Sequence, residues 1–208
     1  MPKEYQFYGY DKLSLIKNIR ELGGKKQGQY IFRVAVFNHP LKIQNTYIRV
    51  RDEGFRKTLT YKIKKPNTEF EEEHETMIEN FDESVNILLG LGCTKKYSYE
   101  KIREIWHLSN TEIVFDTNPG EPEIMELESS SRKYLDNIVK KLDLSQFKII
   151  EYNQTDELFG FSIKNLNISD ITFDNVNKIL GKLVTKNKKE FNSLLKYQRN
   201  LYDSLKIN

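Results

Sequence analysis

Charged side chains recur at every second residue in several strand-like stretches of this 208-residue sequence. Arg49 and Arg51 share one face of such a stretch, and Glu73 and Glu75 share a face of another. An ordinary half-buried strand would place Val or Ile at this spacing. Arg and Lys pair well with phosphate oxygens, whereas carboxylates bind hard divalent cations. These rows therefore indicate a site for a polyanion together with a divalent metal ion.

Two interpretations of the charged rows are open. For a single strand the simpler one is a face turned to water, as one side of an antiparallel sheet usually is. The rows recur, however, with a basic one at Lys101 and Arg103 and an acidic one at Glu126 and Glu128. If the strands close on one another, the charged faces line a lumen and the apolar faces pack outward against helices. Such a lumen is costly unless a ligand fills it.

The stretches between the charged rows predict an α+β fold in which helices cover antiparallel strands. Helices are expected to begin at Asp11, at Asp82, and at Ser130 or Ser131, because each precedes apolar residues at helical spacing. Strands are predicted over residues 4–8, 29–37, three runs within 46–75, then 95–107, 111–116, 123–128 and 148–152.

Composition limits the classes of protein to consider. Lys plus Arg number 33 and Asp plus Glu number 30, so a net charge of only +3 does not favour a dedicated nucleic-acid binder. Cys93 is the only cysteine, which rules out an intrachain disulfide and favours a cytoplasmic location. No run reaches the ~18 apolar residues of a membrane span, and the N-terminus lacks an apolar signal core.

The segment 161–208 differs from the rest of the chain. It carries eight lysines and one arginine against three aspartates and one glutamate, a net charge of +5. Its apolar residues recur at helical spacing, which predicts a basic helical extension. We expect an amphipathic pair that docks on the preceding domain or on a second copy, giving a homodimer. The alternative is a basic arm for RNA or another anionic partner.

The order of the charged rows resembles the CYTH superfamily, the triphosphate tunnel metalloenzymes, which includes class IV adenylyl cyclases, thiamine triphosphatases and inorganic triphosphatases. The matching segments are YIRVR (47–51), TLTYK (58–62), the row Glu71, Glu73 and Glu75, KIREIW (101–106), VFD (114–116), MELE (125–128) and DELFG (156–160). The resemblance covers residues 1–160. It implies a closed eight-stranded antiparallel β-barrel, the triphosphate tunnel, with helices outside it.

The resemblance also implies roles for individual residues. The phosphate-binding residues would be Arg49, Arg51, Lys62, Lys101 and Arg103. The ligands of Mg²⁺ or Mn²⁺ would be Glu4, Glu126 and Glu128. Glu73 and Glu75 would complete the acidic side in a catalytic role, and Asp116 would sit at the tunnel wall.

The first motif departs from the family pattern. The family opens with Glu-x-Glu-x-Lys, and here Pro2, Glu4 and Gln6 stand at those places. One carboxylate and one lysine are therefore missing. This departure implies weakened catalysis or altered chemistry.

The leading functional hypothesis is metal-dependent hydrolysis of a triphosphate, either tripolyphosphate, thiamine triphosphate or a nucleoside triphosphate. Basic side chains would align the phosphates while the carboxylates hold a divalent ion. One alternative is cyclisation of ATP to cyclic AMP, in which the ribose 3′-hydroxyl replaces water. Another is a non-catalytic protein that binds a nucleotide or polyphosphate, which the altered first motif favours. An RNA 5′-triphosphatase is less favoured, and in it the basic extension would bind the RNA.

Overall fold

The computed structural model describes residues 3–64, 71–147, 154–161 and 168–206. Its strands are β1 (Lys3–Phe7), β2 (Lys25–Asn38), β3 (Thr46–Asp52), β4 (Lys57–Lys64), β5 (Glu71–Met77), β6 (Thr94–Leu108), β7 (Thr111–Thr117), β8 (Ile124–Ser129) and β9 (Asp170–Ile171). Its helices are α1 (Lys12–Glu21), α2 (Phe81–Gly90), α3 (Arg132–Lys141), α4 (Gln154–Phe159), α5 (Val176–Leu180) and α6 (Lys188–Lys206). The strand predicted at 148–152 lies outside the described residues.

Eight antiparallel strands follow the order β1-β8-β7-β6-β2-β3-β4-β5, and β9 adds to β6 in parallel. Within the described ranges no ladder joins β1 to β5, so hydrogen bonds leave the sheet open at that junction. The sheet is strongly curved. Burial raises the pKa of Glu128 on β8 and the charge of Arg51 on β3 opposes that rise, so the two side chains lie near each other. In a flat sheet these two strands would be roughly 19 Å apart. The predicted α+β fold with an eight-stranded antiparallel barrel is thus confirmed.

The inner face of the barrel carries the charged rows. Residues directly opposite in neighbouring antiparallel strands share a face, and Arg51 lies opposite Val34, which in turn lies opposite Tyr99. Strand β2 itself contributes apolar side chains to this face. The Phe32 ring lies beneath Lys101, with 5.7 Å between the ammonium and the ring centroid. Apolar β2 thus separates two charged groups of strands.

The outer face holds the hydrophobic core. Trp106 and Leu127 on the sheet pack with Ile19 of α1 and Ile138 of α3, and each is at most 2% exposed. A second cluster packs α2 against β2 and β3 through Phe37, Val50, Phe81 and Leu88. Apolar burial outside the barrel therefore stabilises the fold, and the inner face need not supply a core.

Side-chain caps set where the helices begin. Asp11 accepts a hydrogen bond from the backbone of Leu13, and Ser131 caps α3 in the same manner, as predicted. Helix α2 begins one residue before the predicted Asp82, because Asn80 accepts from the backbone N–H of Glu83 and acts as the cap. Asp82 instead forms an ion pair with Arg33.

The C-terminal helices pack on the outside of the barrel. The Gln198 side chain of α6 is 1% exposed and donates to the carbonyls of Asn118 at 3.0 Å and Glu121 at 2.8 Å. It also accepts from the backbone N–H of Gly120 at 2.8 Å. The helices thus dock on the preceding domain, which is the first of the two arrangements expected from the sequence. Homodimerisation through these helices stays a prediction, as does the cytoplasmic location. None of the described helices is long and apolar enough to cross a membrane.

Replacing Gln198 with Ala is expected to lower the free energy of unfolding by about 2–3 kcal/mol, because it removes the hydrogen bonds to the buried Gly120 N–H and to the Glu121 carbonyl, and one of the two donors to the Asn118 carbonyl. Urea denaturation measures the change. The matched control is Tyr197→Ala on the same helix, where the side chain is 53% exposed and a change below about 0.5 kcal/mol is expected. Equal effects of the two substitutions would contradict the bridging role of Gln198.

Candidate functional site

All five residues predicted to bind phosphate lie on the inner face of the barrel. Arg49 and Arg51 extend from β3, Lys62 from β4, and Lys101 and Arg103 from β6. Their side chains are between 15% and 20% exposed. The structure therefore brings together cations from strands far apart in sequence. Their role in binding phosphate stays a prediction.

The two carboxylates predicted to be catalytic, Glu73 and Glu75 on β5, face these cations. Glu73 lies 3.1 Å from Lys62 Nζ and 3.6 Å from Arg49 Nη2. Glu75 lies 3.6 Å from Arg51 Nη2 and accepts a hydrogen bond from the Thr60 hydroxyl at 2.8 Å. Burial raises the pKa of Glu75, but the Thr60 hydrogen bond and the arginine charges outweigh it, so the pKa is lowered overall. Both carboxylates neutralise the basic residues in this structure, and their catalytic role stays a prediction.

Three buried polar atoms on this side of the inner face lack a hydrogen-bond partner among the described residues. They are Arg49 Nε, Arg51 Nε and Thr58 Oγ1. Arg51 Nε lies 2.7 Å from Glu53 Oε1, but its hydrogen is not directed at that oxygen, so the contact is an ion pair only. Buried donors without acceptors are rare in folded proteins, and an anion supplies the acceptors they need. Thr58 was not predicted, although it shares the alternation of Thr60 and Lys62.

Asp116 joins the basic and acidic sides of the face. Its carboxylate accepts from Lys101 Nζ at 2.7 Å and from Arg103 Nε at 2.7 Å, and its side chain is 3% exposed. Arg103 Nη2 also reaches Glu126 Oε2 at 2.8 Å. Burial raises the pKa of Asp116, but the charges of Lys101 and Arg103 outweigh it and hold the pKa below its usual value. The carboxylate therefore stays ionised and fixes both cations in place.

The acidic side is formed by β1, β7 and β8. Glu4 lies opposite Glu128, and Gln6 lies opposite Glu126. The Gln6 amide donates to Glu4 Oε1 at 2.7 Å and to Glu126 Oε1 at 2.8 Å, so it bridges two of the predicted metal ligands. A fourth carboxylate, Glu112, lies opposite Glu128 on β7. It was not predicted, although it has the same alternation as Asp116.

Electrostatic repulsion on the acidic side affects two carboxyl groups. Burial and the charge of Asp116 raise the pKa of Glu126. Burial and the charge of Glu112 raise the pKa of Glu128. Each group therefore holds its proton at a higher pH than an ordinary glutamate, and a bound cation would favour the ionised forms.

The donor set on the acidic side fits a hard divalent cation in its chemistry. Within the described ranges no three His, Cys, Asp or Glu side chains are close enough to hold a metal ion in the positions they occupy. Glu4, Glu112, Glu126 and Glu128 nevertheless offer carboxylate oxygens from three neighbouring strands, the ligands that Mg²⁺ and Mn²⁺ prefer. Mg²⁺ needs only one or two protein carboxylates when water and phosphate complete its shell.

Binding of Mn²⁺ is expected to weaken as the pH falls, starting above the usual range of a glutamate. The raised pKa values of Glu126 and Glu128 mean that protons compete with the metal at a higher pH than they would at ordinary glutamates. Affinity should fall by up to about tenfold per pH unit for each proton displaced. Calorimetric titration between pH 5 and pH 8 measures this slope. Glu126→Gln should make the slope shallower, and an affinity independent of pH would contradict the assignment.

Comparisons with known proteins agree with this architecture. The CYTH domain family model matches residues 9–157. The PH1012 protein from Pyrococcus horikoshii OT3 aligns with a TM-score of 0.58 and 19% identity, over 73% of this chain and 97% of that one. A "putative adenylate cyclase" from Vibrio parahaemolyticus aligns with a TM-score of 0.55 and 15% identity, over 73% and 95%.

A third solved structure, the PH1819 protein from Pyrococcus horikoshii OT3, aligns with a TM-score of 0.53 and 21% identity, over 73% of this chain and 97% of that one. At such identities the likeness concerns the fold alone. A search of curated proteins found no matching relative. The family match spans well over half of the sequence and the barrel it requires is present, so the chain belongs to the CYTH domain family.

Proposed function

We propose that this CYTH-domain protein hydrolyses a triphosphate with the aid of Mg²⁺ or Mn²⁺ bound in the barrel. The observation that carries the proposal is the division of the inner face. Cations from β3, β4 and β6 form one side, where Glu73 and Glu75 of β5 pair with them, and carboxylates from β1, β7 and β8 form the other. Membership of the family, whose triphosphate tunnel enzymes act on triphosphates and generally need a metal ion, supports the same activity.

The basic residues would bind the phosphate chain. Arg49 presents a guanidinium group whose Nε donor has no acceptor in the described structure, whereas Arg51 Nε contacts Glu53 as an ion pair without a hydrogen bond. A phosphate oxygen accepts a charge-assisted hydrogen bond from such a donor, worth about 1.5–3 kcal/mol. Lys62, Lys101 and Arg103 add positive charge along the same face. Together they would align the chain for in-line attack and neutralise charge that develops on the leaving phosphate.

The acidic residues would hold the metal ion and the water. Glu126 and Glu128, with Glu4, would bind a divalent ion, which polarises the phosphate oxygens when present. Asp116 would keep Arg103 between the phosphates and Glu126, since it holds that guanidinium by two of its nitrogens. Glu73 or Glu75 would accept a hydrogen bond from the attacking water once the phosphates take over their arginine partners.

A panel of triphosphates tests the proposal. Tripolyphosphate, thiamine triphosphate and ATP are each incubated with Mg²⁺, with Mn²⁺ or with EDTA, and both released phosphate and cyclic nucleotide are measured. Release of phosphate from at least one compound, abolished by EDTA, is the expected result. Absence of phosphate release from every compound with either metal would overturn the proposal.

Two other activities are distinguished by the same panel. Cyclisation of ATP would give cyclic AMP and pyrophosphate, and the likeness to the "putative adenylate cyclase" from Vibrio parahaemolyticus is the reason to test for it. A non-catalytic binder would leave the ligand intact for hours. The Gln6 bridge between Glu4 and Glu126 favours the binder, because a neutral amide stands where the family has a lysine. Turnover that appears only after Pro2→Glu with Gln6→Lys would identify the chain as a binder.

A further inference from the structure

A cavity of about 230 Å³ lies beside the barrel where β6 extends past β7. Its volume is below the range of about 300–1,000 Å³ that accommodates whole ligands, so it suits one ring system. Tyr97 and Tyr99 line it, and their ring centroids lie 6.2 Å apart with the ring planes inclined by 32°. Pro119, Ile168 and Ile171 supply further apolar lining. Flat apolar walls of this kind favour a planar group.

Asn118 and Glu121 form a polar edge of the cavity, whose other polar lining residues are Ser98 and Glu100. Asn118 Nδ2 donates to Glu121 Oε2 at 2.9 Å, and both residues line the cavity. Burial raises the pKa of the Glu121 carboxyl, which favours its neutral form. A neutral carboxyl offers one donor and one acceptor side by side. This pair is complementary to the edge of a heteroaromatic ring that carries a ring nitrogen next to an amino group.

The cavity lies next to the residues proposed to bind phosphate. Tyr97 lies opposite Val36, which lies opposite Arg49 on β3. Two strand spacings separate Tyr97 from Arg49, or roughly 10 Å between backbones. Tyr99 and Lys101 follow on the same face of β6, about 7 Å apart along the strand. A ring held by the two tyrosines would therefore be within reach of a phosphate chain on the basic side.

We propose that this cavity binds the heteroaromatic ring of the triphosphate ligand, stacked on Tyr97 and hydrogen-bonded at its edge by Glu121. The physiological ligand is then an organic triphosphate of the nucleotide type, and tripolyphosphate fills only part of the site. The inference rests on the proposed function for the position of the phosphates. It adds a binding site for the ring of the ligand, which the phosphate-binding residues do not specify.

Calorimetric titration distinguishes the contribution of the ring to the binding affinity from that of the phosphates. The full chain is titrated with the β,γ-imido analogue of ATP and with tripolyphosphate, with EDTA present so that neither ligand is hydrolysed. Tyr97→Ala is expected to weaken binding of the ATP analogue by about tenfold relative to tripolyphosphate, because it removes one stacking surface. Tyr134→Ala on α3, a 40% exposed tyrosine, is the matched control and should leave the ratio unchanged. Thiamine triphosphate, run in parallel, tells which ring is preferred.

The outcomes separate the inference from the proposed function. If Tyr97→Ala weakens both ligands equally, or neither, the ring pocket is wrong while the phosphate site stands. The same holds if the wild-type protein binds tripolyphosphate and not the ATP analogue. Glu121→Ala should reduce affinity for the ATP analogue and Glu121→Gln should retain most of it, which checks the polar edge without relying on Tyr97. If no triphosphate is bound or hydrolysed by the wild-type protein, the proposed function itself fails.

Discussion

Glu126→Gln is expected to lower metal-dependent phosphate release by more than about 100-fold. Outer-shell changes alone reduce metal affinity or activity by about 10–100-fold, and this substitution removes a proposed ligand. Glutamine keeps the size of the side chain but has one acceptor oxygen, so it can accept from only one of Gln6 and Arg103, which contact the two different oxygens of Glu126 at 2.8 Å each. The rate constant kcat at saturating Mg²⁺ or Mn²⁺ measures the effect.

The control for Glu126→Gln is Glu21→Gln at the end of α1, where the side chain is 64% exposed. This variant should retain full activity. Circular dichroism and thermal melting of both variants establish that the barrel is intact. Turnover at the wild-type rate after Glu126→Gln would mean that the metal ion is held elsewhere on the chain, and the proposed ligand set would be wrong.

Asp116→Asn is expected to lower the free energy of unfolding by about 3–5 kcal/mol. The carboxylate is 3% exposed and serves both Lys101 and Arg103. The substitution leaves Lys101 and Arg103, whose side chains are 15% exposed, next to each other without the negative charge between them. Removing one partner of a buried ion pair costs about this much. Urea denaturation at pH 7 measures the change. Asp82→Asn removes the exposed partner of Arg33 and should cost at most about 1 kcal/mol.

The stability difference caused by Asp116→Asn should depend on pH. The pKa of Asp116 is lowered in the folded state, so its contribution is present above the pKa of an unfolded aspartate and is lost as the pH falls through the lowered value. The wild-type and variant proteins should therefore approach each other in stability under strongly acidic conditions. A difference that stays constant down to such pH would contradict the role assigned to this charge.

The shared face of each basic row could be predicted because alternation is a local property of the strand backbone. Arg49 and Arg51 must share a face in any β-strand, whatever the partner strands are. The contacts of those residues could not be predicted, because they depend on curvature and on long-range register. Glu53, in the β3–β4 turn, reads as a surface residue in the sequence. In the structure it is 3% exposed and forms ion pairs with Arg51 and Arg56.

Other residues could be noted from the sequence, but their contacts could be known only from the fold. Glu112 shares its alternation with Asp116, and only the pairing of β7 with β8 makes it a neighbour of Glu128. The start of α2 could not be decided locally, since Asn80 and Asp82 are both good capping residues. The chemistry of Gln6 also depended on the fold, because its two acceptors include one 120 positions away.

The carboxylates of β5 would make binding of the proposed phosphate ligand an exchange reaction. Glu73 and Glu75 already neutralise Arg49, Arg51 and Lys62, so a phosphate has to displace a glutamate that is tethered beside the same cations. A tethered group competes at a high effective concentration. At the proposed site a single phosphate would displace only one such group, whereas a chain of several phosphates would displace both at once while its other end contacts Lys101 and Arg103. The two glutamates would thus make the site select a chain of several phosphates over inorganic phosphate.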